Sequence, residues 1–312
     1  MFIEQMNTKK FKSIINFLLY LPIPCSFFLL MLVNYFMSKG VDTEKMIHNY
    51  IEMFGVNMTF LLLVGPLSFA CLFLLFWVKV LHQQSIRSLT TSRPKVDWGR
   101  ILFSFTLWAT ITIAMVSLAY FASPENFHVN FQPVPFFTFL ILAVLLIPLQ
   151  TSFEEYFFRG YLMQGIGVVT KSRLWPFLIT SILFGVMHIA NPEVGKMGYI
   201  IMVYYIGTGF FLGILTLMDE GLELALGFHA ANNLIGALLI TSDWSAFQTH
   251  SILKDLSEPS AGFDVILPVV IIFPILLFIF SKKYNWTGWK EKLTGKIAEN
   301  NDNQFNTIEE HV

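Results

Sequence analysis

Charged residues are scarce in this sequence. Asp, Glu, Lys and Arg together make up 13% of its 312 residues, whereas a soluble domain carries about 25%. So few charges cannot cover the surface of a water-soluble protein of this size, and 33 Phe residues would be difficult to bury in one. Because 55% of the residues are hydrophobic, the composition indicates an integral membrane protein.

An excess of positive charge and an abundance of cysteine are also lacking. The formal net charge is −1, which argues against a nucleic-acid partner, since such a partner requires a strong basic patch. The two cysteines, Cys25 and Cys71, lie within apolar runs, where a free cysteine acts as a small hydrophobic residue. They therefore give no information on the redox compartment.

Long apolar runs are what the sequence does contain. A helix needs about 20 mostly apolar residues to cross the bilayer, and these runs lack the two-residue alternation of transmembrane strands. We therefore predict an all-α integral membrane fold, an eight-transmembrane-helix bundle forming a single domain over residues 1–289. Residues 290–312 are predicted to be a polar, mobile cytoplasmic tail. The runs without Asp, Glu, Lys or Arg are Ser13–Ser38, Met53–Val78, Ile101–Pro124, Asn126–Phe153, Leu174–Pro192, Met197–Met218, Leu224–Ser242 and Val265–Ser281.

The distribution of Lys and Arg between the loops predicts the orientation. With the N-terminus inside, fifteen of these residues fall on the inner side and four on the outer side, so the positive-inside rule places both termini in the cytoplasm of a multi-pass cell-membrane protein. The first run follows Lys9, Lys10 and Lys12, as the apolar part of a signal peptide follows positive charges. It is longer than that apolar part, however, and is predicted to be a retained membrane anchor. Asp219, Glu220 and Glu223 form a short acidic inner loop, expected to be a solvated turn.

Three polar clusters stand out: one directly follows the fourth run, one lies late in the fifth, and one lies inside the seventh. Ionisable side chains at membrane depth cost about 2.5–3.5 kcal/mol each and so indicate function. These clusters lie between residues 135 and 242, the part of the chain that we predict to be the functional core. They are Glu154-Glu155-Tyr156-Phe157-Phe158-Arg159, Phe184-Gly185-Val186-Met187-His188 and His229-Ala230-Ala231-Asn232-Asn233.

Helical spacing assigns different tasks to neighbouring residues. Glu155 and Arg159 are four apart, share a helix face and can form a buried ion pair. Glu154 is rotated by about 100° from Glu155 and faces elsewhere, so one carboxylate is predicted to be structural and the other chemical. The same four-residue spacing relates His229 to Asn233, and it relates Phe184 to His188.

The depth of these clusters in the membrane places a condition on the fourth helix. His188 lies about 21 Å from the inner edge if the fifth helix is counted from Leu174 at 1.5 Å per residue. Glu154 reaches a similar depth only if the fourth helix continues past Phe153 to about Val168. We therefore predict this longer helix, which brings the three clusters together.

In this order and at these separations, the clusters resemble the intramembrane peptidases of the CAAX-protease and bacteriocin-processing (CPBP, or Abi) family. The family pattern is E-E-x-x-x-R, F-x-x-x-H and H-x-x-x-N or H-x-x-x-D. It stands here as Glu154-Glu155-x-x-x-Arg159, Phe184-x-x-x-His188 and His229-x-x-x-Asn233. The resemblance covers residues 140–240 and implies a bundle with a central, water-accessible cavity within the membrane.

The resemblance implies an endopeptidase with a defined set of catalytic residues. Glu154 and His188 would activate the attacking water, and His229 and Asn233 would stabilise the oxyanion, while Glu155, Arg159 and Phe184 support the site. Glu154, His188 and His229 also form a ligand set suited to zinc or another divalent metal. The sequence leaves open whether a metal takes part or none does.

Other functions remain as alternatives. The sequence contains no H-E-x-x-H zinc motif, no G-x-S-x serine motif and no G-x-G-D aspartate motif.

A peptide or membrane-protein segment held in the lipid bilayer is the expected substrate, and bacteriocin leaders and peptide pheromones are candidates by analogy. A non-catalytic scaffold or bacteriocin self-immunity protein that keeps the fold is the main alternative, followed by a transporter. The sequence does not determine the oligomeric state.

Overall fold

The computed structural model describes residues 1–6, 18–38, 40, 42–259 and 262–297. Lys9, Lys10 and Lys12, which precede the first predicted span, lie outside the described residues, as do residues 298–312 of the predicted tail. The described chain is predominantly helical. Its α-helices are α1 (Pro22–Ser38), α2 (Thr43–Phe54), α3 (Val56–Val80), α4 (Ile86–Thr90), α5 (Trp98–Ala122), α6 (Pro133–Glu155), α7 (Met163–Thr170), α8 (Leu174–Val186), α9 (Pro192–Met197), α10 (Ile201–Asp219), α11 (Glu223–Leu239), α12 (Phe263–Leu267), α13 (Phe273–Lys283) and α14 (Trp289–Thr294).

Within the described residues, six helical segments are long and apolar enough to cross a membrane. They carry large apolar side chains that face outward, such as Phe69, 70% exposed, and Phe121, 78% exposed; in a bilayer such side chains face lipid. The chain is therefore a multi-pass membrane protein. The six segments are Leu18–Met37, Val56–Val80, Trp98–Ala122, Pro133–Thr170, Pro192–Asp219 and Val265–Lys283.

The predicted count of eight spans is not confirmed, because the fifth and seventh apolar runs form shorter helices. Helix α8 has 13 residues and is about 20 Å long, well short of the ~30 Å hydrocarbon core. Helix α11 has 17 residues, and its first seven, from Glu223 to His229, are all buried inside the protein. Hydropathy detects apolar runs, but it does not show that a helix ends within a run, as α8 does at Val186, or that part of a helix is packed inside the bundle, as the first half of α11 is.

The fourth predicted span continues as expected. Helix α6 passes into a π-helical segment, Tyr156–Leu162, and then into α7, so the helical segment Pro133–Thr170 has 38 residues. The wide turns begin directly after Glu154 and Glu155. Such π-helical turns are rare and occur frequently at functional sites.

A small three-stranded sheet departs from the all-α prediction. Strand β3 (Leu253–Asp255) lies between β1 (Phe127–Val129), which is antiparallel to it, and β2 (Ile240–Thr241), which is parallel. The strands belong to the segments that follow α5 and α11, which the sequence assigns to the outer side. The sheet holds the loop after α11 against the rest of the protein.

The acidic loop after α10 is buried, contrary to the prediction of a solvated turn. Asp219 is 4% exposed and Glu223 is fully buried. Arg93 lies 2.8 Å from the Asp219 carboxylate and 3.0 Å from that of Glu223, and Arg100 also pairs with Asp219. Arg93 belongs to the loop before α5 and Arg100 to α5 itself, and together they neutralise the acids. These ion pairs join the beginning of α5 and α11 to the end of α10.

The beginning of the predicted tail is part of the folded body. Helix α14 follows Gly288 directly, and the Lys292 ammonium donates a hydrogen bond to the Met218 carbonyl at 2.8 Å. Ile297 is 6% exposed, and its N–H donates to the carbonyl of Lys171. The segment up to residue 297 therefore packs against the end of α10 and the loop after α7.

Candidate active site

Arg159 joins two helices around the first motif. Its Nη1 lies 3.0 Å from Oε1 of Glu155, and both side chains are completely buried. Its Nη2 donates to the Gly209 carbonyl on α10 at 3.1 Å, and its guanidinium lies 4.1 Å from the centre of the Phe184 ring. A Cβ at Gly209 would stand 2.2 Å from the Ser181 carbonyl oxygen, so the glycine permits the close approach of α10 and α8.

His229 lies between the two adjacent carboxylates. Its Nδ1 is 2.7 Å from Oε1 of Glu155, and its Nε2 is 3.6 Å from Oε2 of Glu154. The carboxylate of Glu155 accepts from Arg159 and from Nδ1–H of His229, so the Nε2 of His229 faces Glu154. Glu155 therefore does more than pair with Arg159, because it also fixes the orientation of the imidazole.

The contact between α11 and α5 sets the position of His229. A Cβ at Gly227, two residues before His229, would meet the Ile101 carbonyl oxygen at 2.2 Å. Only glycine allows the two helices to lie this close. The same contact places Trp108 of α5 beside the end of the third motif.

His188 lies just beyond the helix in which it was predicted. Helix α8 ends at Val186, and the backbone N–H of His188 donates to Gly185 instead of continuing the α-helical pattern. The Phe184 carbonyl, left without that partner, accepts from Nδ1 of His188 at 2.8 Å. The turn keeps the ring near Phe184 (centroids 5.1 Å apart) and stacks it on Tyr205 at 4.5 Å. Because Nδ1 carries the hydrogen, Nε2 of the neutral ring is free to accept a proton.

Gln150 connects the first motif to the third. Its side chain is 3% exposed, its Nε2 donates to Oε1 of Glu154, and its Oε1 accepts from Nδ2 of Asn233 at 3.2 Å. Sequence reasoning did not single out this residue. The signal was present, because Gln150 is a polar residue in an apolar run, four residues before Glu154 on the same helix face.

The predicted catalytic side chains line one cavity of about 540 Å³. Helix α6 supplies Glu154, the turn after α8 supplies His188, and α11 supplies His229 and Asn233. The structure thus brings all four together. The cavity wall also contains residues that the sequence did not indicate, from α1, α3, α10 and the loop after α11: Phe27, Met31, Leu67, Tyr204, Tyr205, Thr208, Ser245, Ala246 and Phe247.

The predicted metal ligands, Glu154, His188 and His229, all line this cavity. Over the ranges that the structure describes, no group of three or more His, Cys, Asp or Glu side chains could hold a metal ion. Glu154 and His229 approach each other, and the Nδ1 of His188 is engaged by the Phe184 carbonyl, which leaves its Nε2 as the nitrogen that could bind a ligand. No step proposed below passes through a metal.

Comparison with known proteins finds a family similarity in the motif-bearing segment. Residues 133–235 match the family model described as "Type II CAAX prenyl endopeptidase Rce1-like". This segment, about a third of the chain, is similar to that family's domain. It contains all the motif residues, and its assignment agrees with the family predicted from them.

The chain is also similar to a bacterial protein. The chain is 34% identical over 171 residues to "Uncharacterized protein YyaK" of Bacillus subtilis (strain 168). The match covers 54% of this chain and 57% of that relative. No solved structure matches the chain.

Proposed function

We propose that the protein is an intramembrane endopeptidase of the CAAX-protease type, which hydrolyses a peptide bond in a membrane-associated substrate. The observation that carries the proposal is the convergence of Glu154, His188, His229 and Asn233 on one cavity within a helical membrane domain. The Rce1-like match over the same segment supports it. Peptide hydrolysis requires a base for water and donors for the developing oxyanion, and the four side chains provide both.

The base is Glu154, assisted by His188. Oxygen Oε1 of Glu154 already accepts from Gln150, whereas Oε2 has no hydrogen-bond partner. Oε2 takes the proton as the water oxygen attacks the carbonyl carbon. The proton then passes to the leaving amine when the carbon–nitrogen bond breaks, and the carboxylate is restored.

His229 and Asn233 are the oxyanion donors. In the imidazolium form, Nδ1–H of His229 bonds to Glu155 and Nε2–H is left for the substrate. The second N–H of the Asn233 amide supplies the other donor.

The substrate is lipophilic or tethered to the membrane. Part of the cavity wall comes from apolar side chains of α1 and α3, namely Phe27, Met31 and Leu67. Both helices also have apolar faces exposed at the surface of the protein, where lipid would lie. A soluble peptide would have to leave water to reach the buried carboxylate of Glu154, which is 4% exposed. We place the protein in the cell membrane, with both termini in the cytoplasm, by the positive-inside rule.

The test uses the purified protein in lipid vesicles and one quenched fluorescent peptide in three forms. The peptide carries a prenyl chain, a plain alkyl chain or no chain. We expect cleavage of the tethered forms and little cleavage of the free form. Cleavage of all three at equal rates would contradict the membrane-associated substrate, and cleavage of none across a peptide library would contradict the peptidase.

A further inference from the structure

A line of hydrogen-bonded side chains runs from α5 through the third motif to Glu154. The indole Nε1 of Trp108 lies 3.1 Å from Oδ1 of Asn232, and Nδ2 of Asn232 lies 3.0 Å from Oδ1 of Asn233. Nδ2 of Asn233 then reaches Oε1 of Gln150, whose Nε2 reaches Glu154. Four helix residues besides the carboxylate take part, and three of their side chains are amides.

The direction of this line is fixed at its origin. An amide can be turned end for end, exchanging its donor and its acceptor, but an indole N–H only donates. Trp108 therefore requires the oxygen of Asn232 to face it, which turns the Asn232 nitrogen toward Asn233. The same constraint passes on to Gln150, whose NH₂ group must face Glu154.

Each end of the line suits the chemistry of the site. The carboxylate of Glu154 accepts at Oε1, which leaves Oε2 as the oxygen that takes a proton from water. The side-chain oxygen of Asn233 accepts a hydrogen bond from Asn232, so the NH₂ group of Asn233 faces the cavity. One hydrogen of this group is donated to Gln150, and the other is available to a substrate. An Asn233 turned the other way would present its oxygen and repel an oxyanion.

We infer that Trp108, Asn232 and Gln150 are positioning residues for the proposed peptidase: Trp108 sets the direction of an amide relay that orients the Asn233 donor and the Glu154 base. The inference rests on the proposed function, because it assigns these residues through the reaction of Glu154 and Asn233. Trp108 contacts no reacting atom in this scheme. Its 5% exposure and its contact with the Phe228 ring at 4.6 Å keep the indole in place.

The first test removes the donor at the origin. Trp108→Phe retains an aromatic ring and loses the N–H, and Asn232→Asp retains the shape and loses the donor to Asn233. We expect each to lower kcat about five- to tenfold with little change in KM, the effect of losing one net hydrogen bond. Trp286→Phe is the matched control, since it removes a buried indole N–H that bonds to Asp219 away from the cavity, and its kcat should equal that of the parent.

A double-mutant cycle separates a relay from local packing. Gln150→Met keeps the side-chain length and cuts the line next to Glu154. In that background, Trp108→Phe should lower kcat no further, whereas independent packing defects would multiply. Multiplied effects would overturn the inference, as would a folded Trp108→Phe or Asn232→Asp protein with the parent kcat.

The Glu154→Gln variant distinguishes a failure of the proposed mechanism from a failure of the relay alone. Glu154→Gln is measured with the same vesicles and peptide. If Glu154→Gln keeps the parent rate, the proposed role of Glu154 as the base fails, and the relay fails with it. If Glu154→Gln is inactive while Trp108→Phe and Asn232→Asp are fully active, the relay alone is wrong.

Discussion

The Nδ1 atom of His229 lies 2.7 Å from Oε1 of Glu155, although the two residues are 74 positions apart. Glu155 is therefore shared between Arg159 and the imidazole. Its neighbour Glu154 faces the other nitrogen of the same ring at 3.6 Å. One histidine thus lies between a carboxylate that orients it and a carboxylate that we propose to be the base.

Replacing the base should remove activity without unfolding the protein. Glu154→Gln keeps the size and the acceptor for Gln150 but removes the basic oxygen, and we expect kcat to fall about 10²- to 10⁴-fold. Cleavage of the vesicle-tethered peptide measures the effect, with the exposed Glu125→Gln as the control. A cellular phenotype that persists in Glu154→Gln would favour the non-catalytic scaffold.

Variants of the buried Glu155–Arg159 pair should distinguish its contribution to protein stability from its effect on the orientation of the His229 ring. Arg159→Met leaves a buried carboxylate without its guanidinium and should lower the free energy of unfolding by about 3–5 kcal/mol. The double variant Glu155→Met/Arg159→Met removes both charges and should recover much of that loss. Its cleavage rate should stay low, because His229 has then lost the acceptor for Nδ1. Recovery of activity together with stability would show that Glu155 does not orient the ring.

Two glycines of α11 provide a matched pair for the packing against α5. Gly227→Ala forces a Cβ to within 2.2 Å of the Ile101 carbonyl oxygen, whereas a Cβ at Gly236 meets no atom within 4 Å. We expect Gly227→Ala to destabilise the protein by about 1–3 kcal/mol. Gly236→Ala should stabilise the helix by about 0.5–1 kcal/mol. Thermal unfolding in detergent measures both, and equal melting temperatures would contradict the close contact.

His82, in the loop between α3 and α4, should make stability depend on pH. Burial lowers the pKa of this histidine from 6.5 to about 4, so between these values the unfolded chain binds a proton that the folded protein does not. Stability therefore falls as pH decreases from 6.5 to about 4, by roughly 3 kcal/mol at most.

His82→Gln tests this dependence, because the amide can still donate to the Tyr161 hydroxyl, which lies 2.8 Å from Nε2 of His82. Melting temperatures measured across the pH range should fall less steeply for this variant than for the parent. The slope that remains reports other groups, including His250, whose pKa burial also lowers. An unchanged slope would contradict the assignment to His82.

Removal of metal should leave cleavage intact. The Glu154, His188 and His229 side chains are not assembled as ligands among the described residues, and the proposed mechanism uses them as base and donors. We expect the rate to be the same after dialysis against a chelator, with metal content measured on the same sample. A rate that falls on chelation and returns with zinc would assign these residues to a catalytic metal site instead.

The motif residues and the length of the fourth helix were predictable because they depend on local spacing. Residues four apart share a helix face, which led from the sequence to the Glu155–Arg159 pair and to the proximity of Phe184 and His188. The depth argument required the fourth helix to continue, and it does so through a π-helical segment to Thr170. Apolar runs identified a membrane protein, but hydropathy did not reveal that α8 ends at Val186 or that the first half of α11 is buried within the bundle.

The sequence by itself indicated that the protein lies in a lipid bilayer, and it showed which family the motif-bearing segment resembles. Both inferences follow from residue types and from spacings along single helices. Only the tertiary structure decided that Glu155 holds His229, that Asp219 and Glu223 are buried against Arg93, and that Trp108 lies beside Asn232. These contacts join residues more than 70 positions apart. They depend on how closely the helices approach, which here is set by glycines whose partners in space no local pattern reveals.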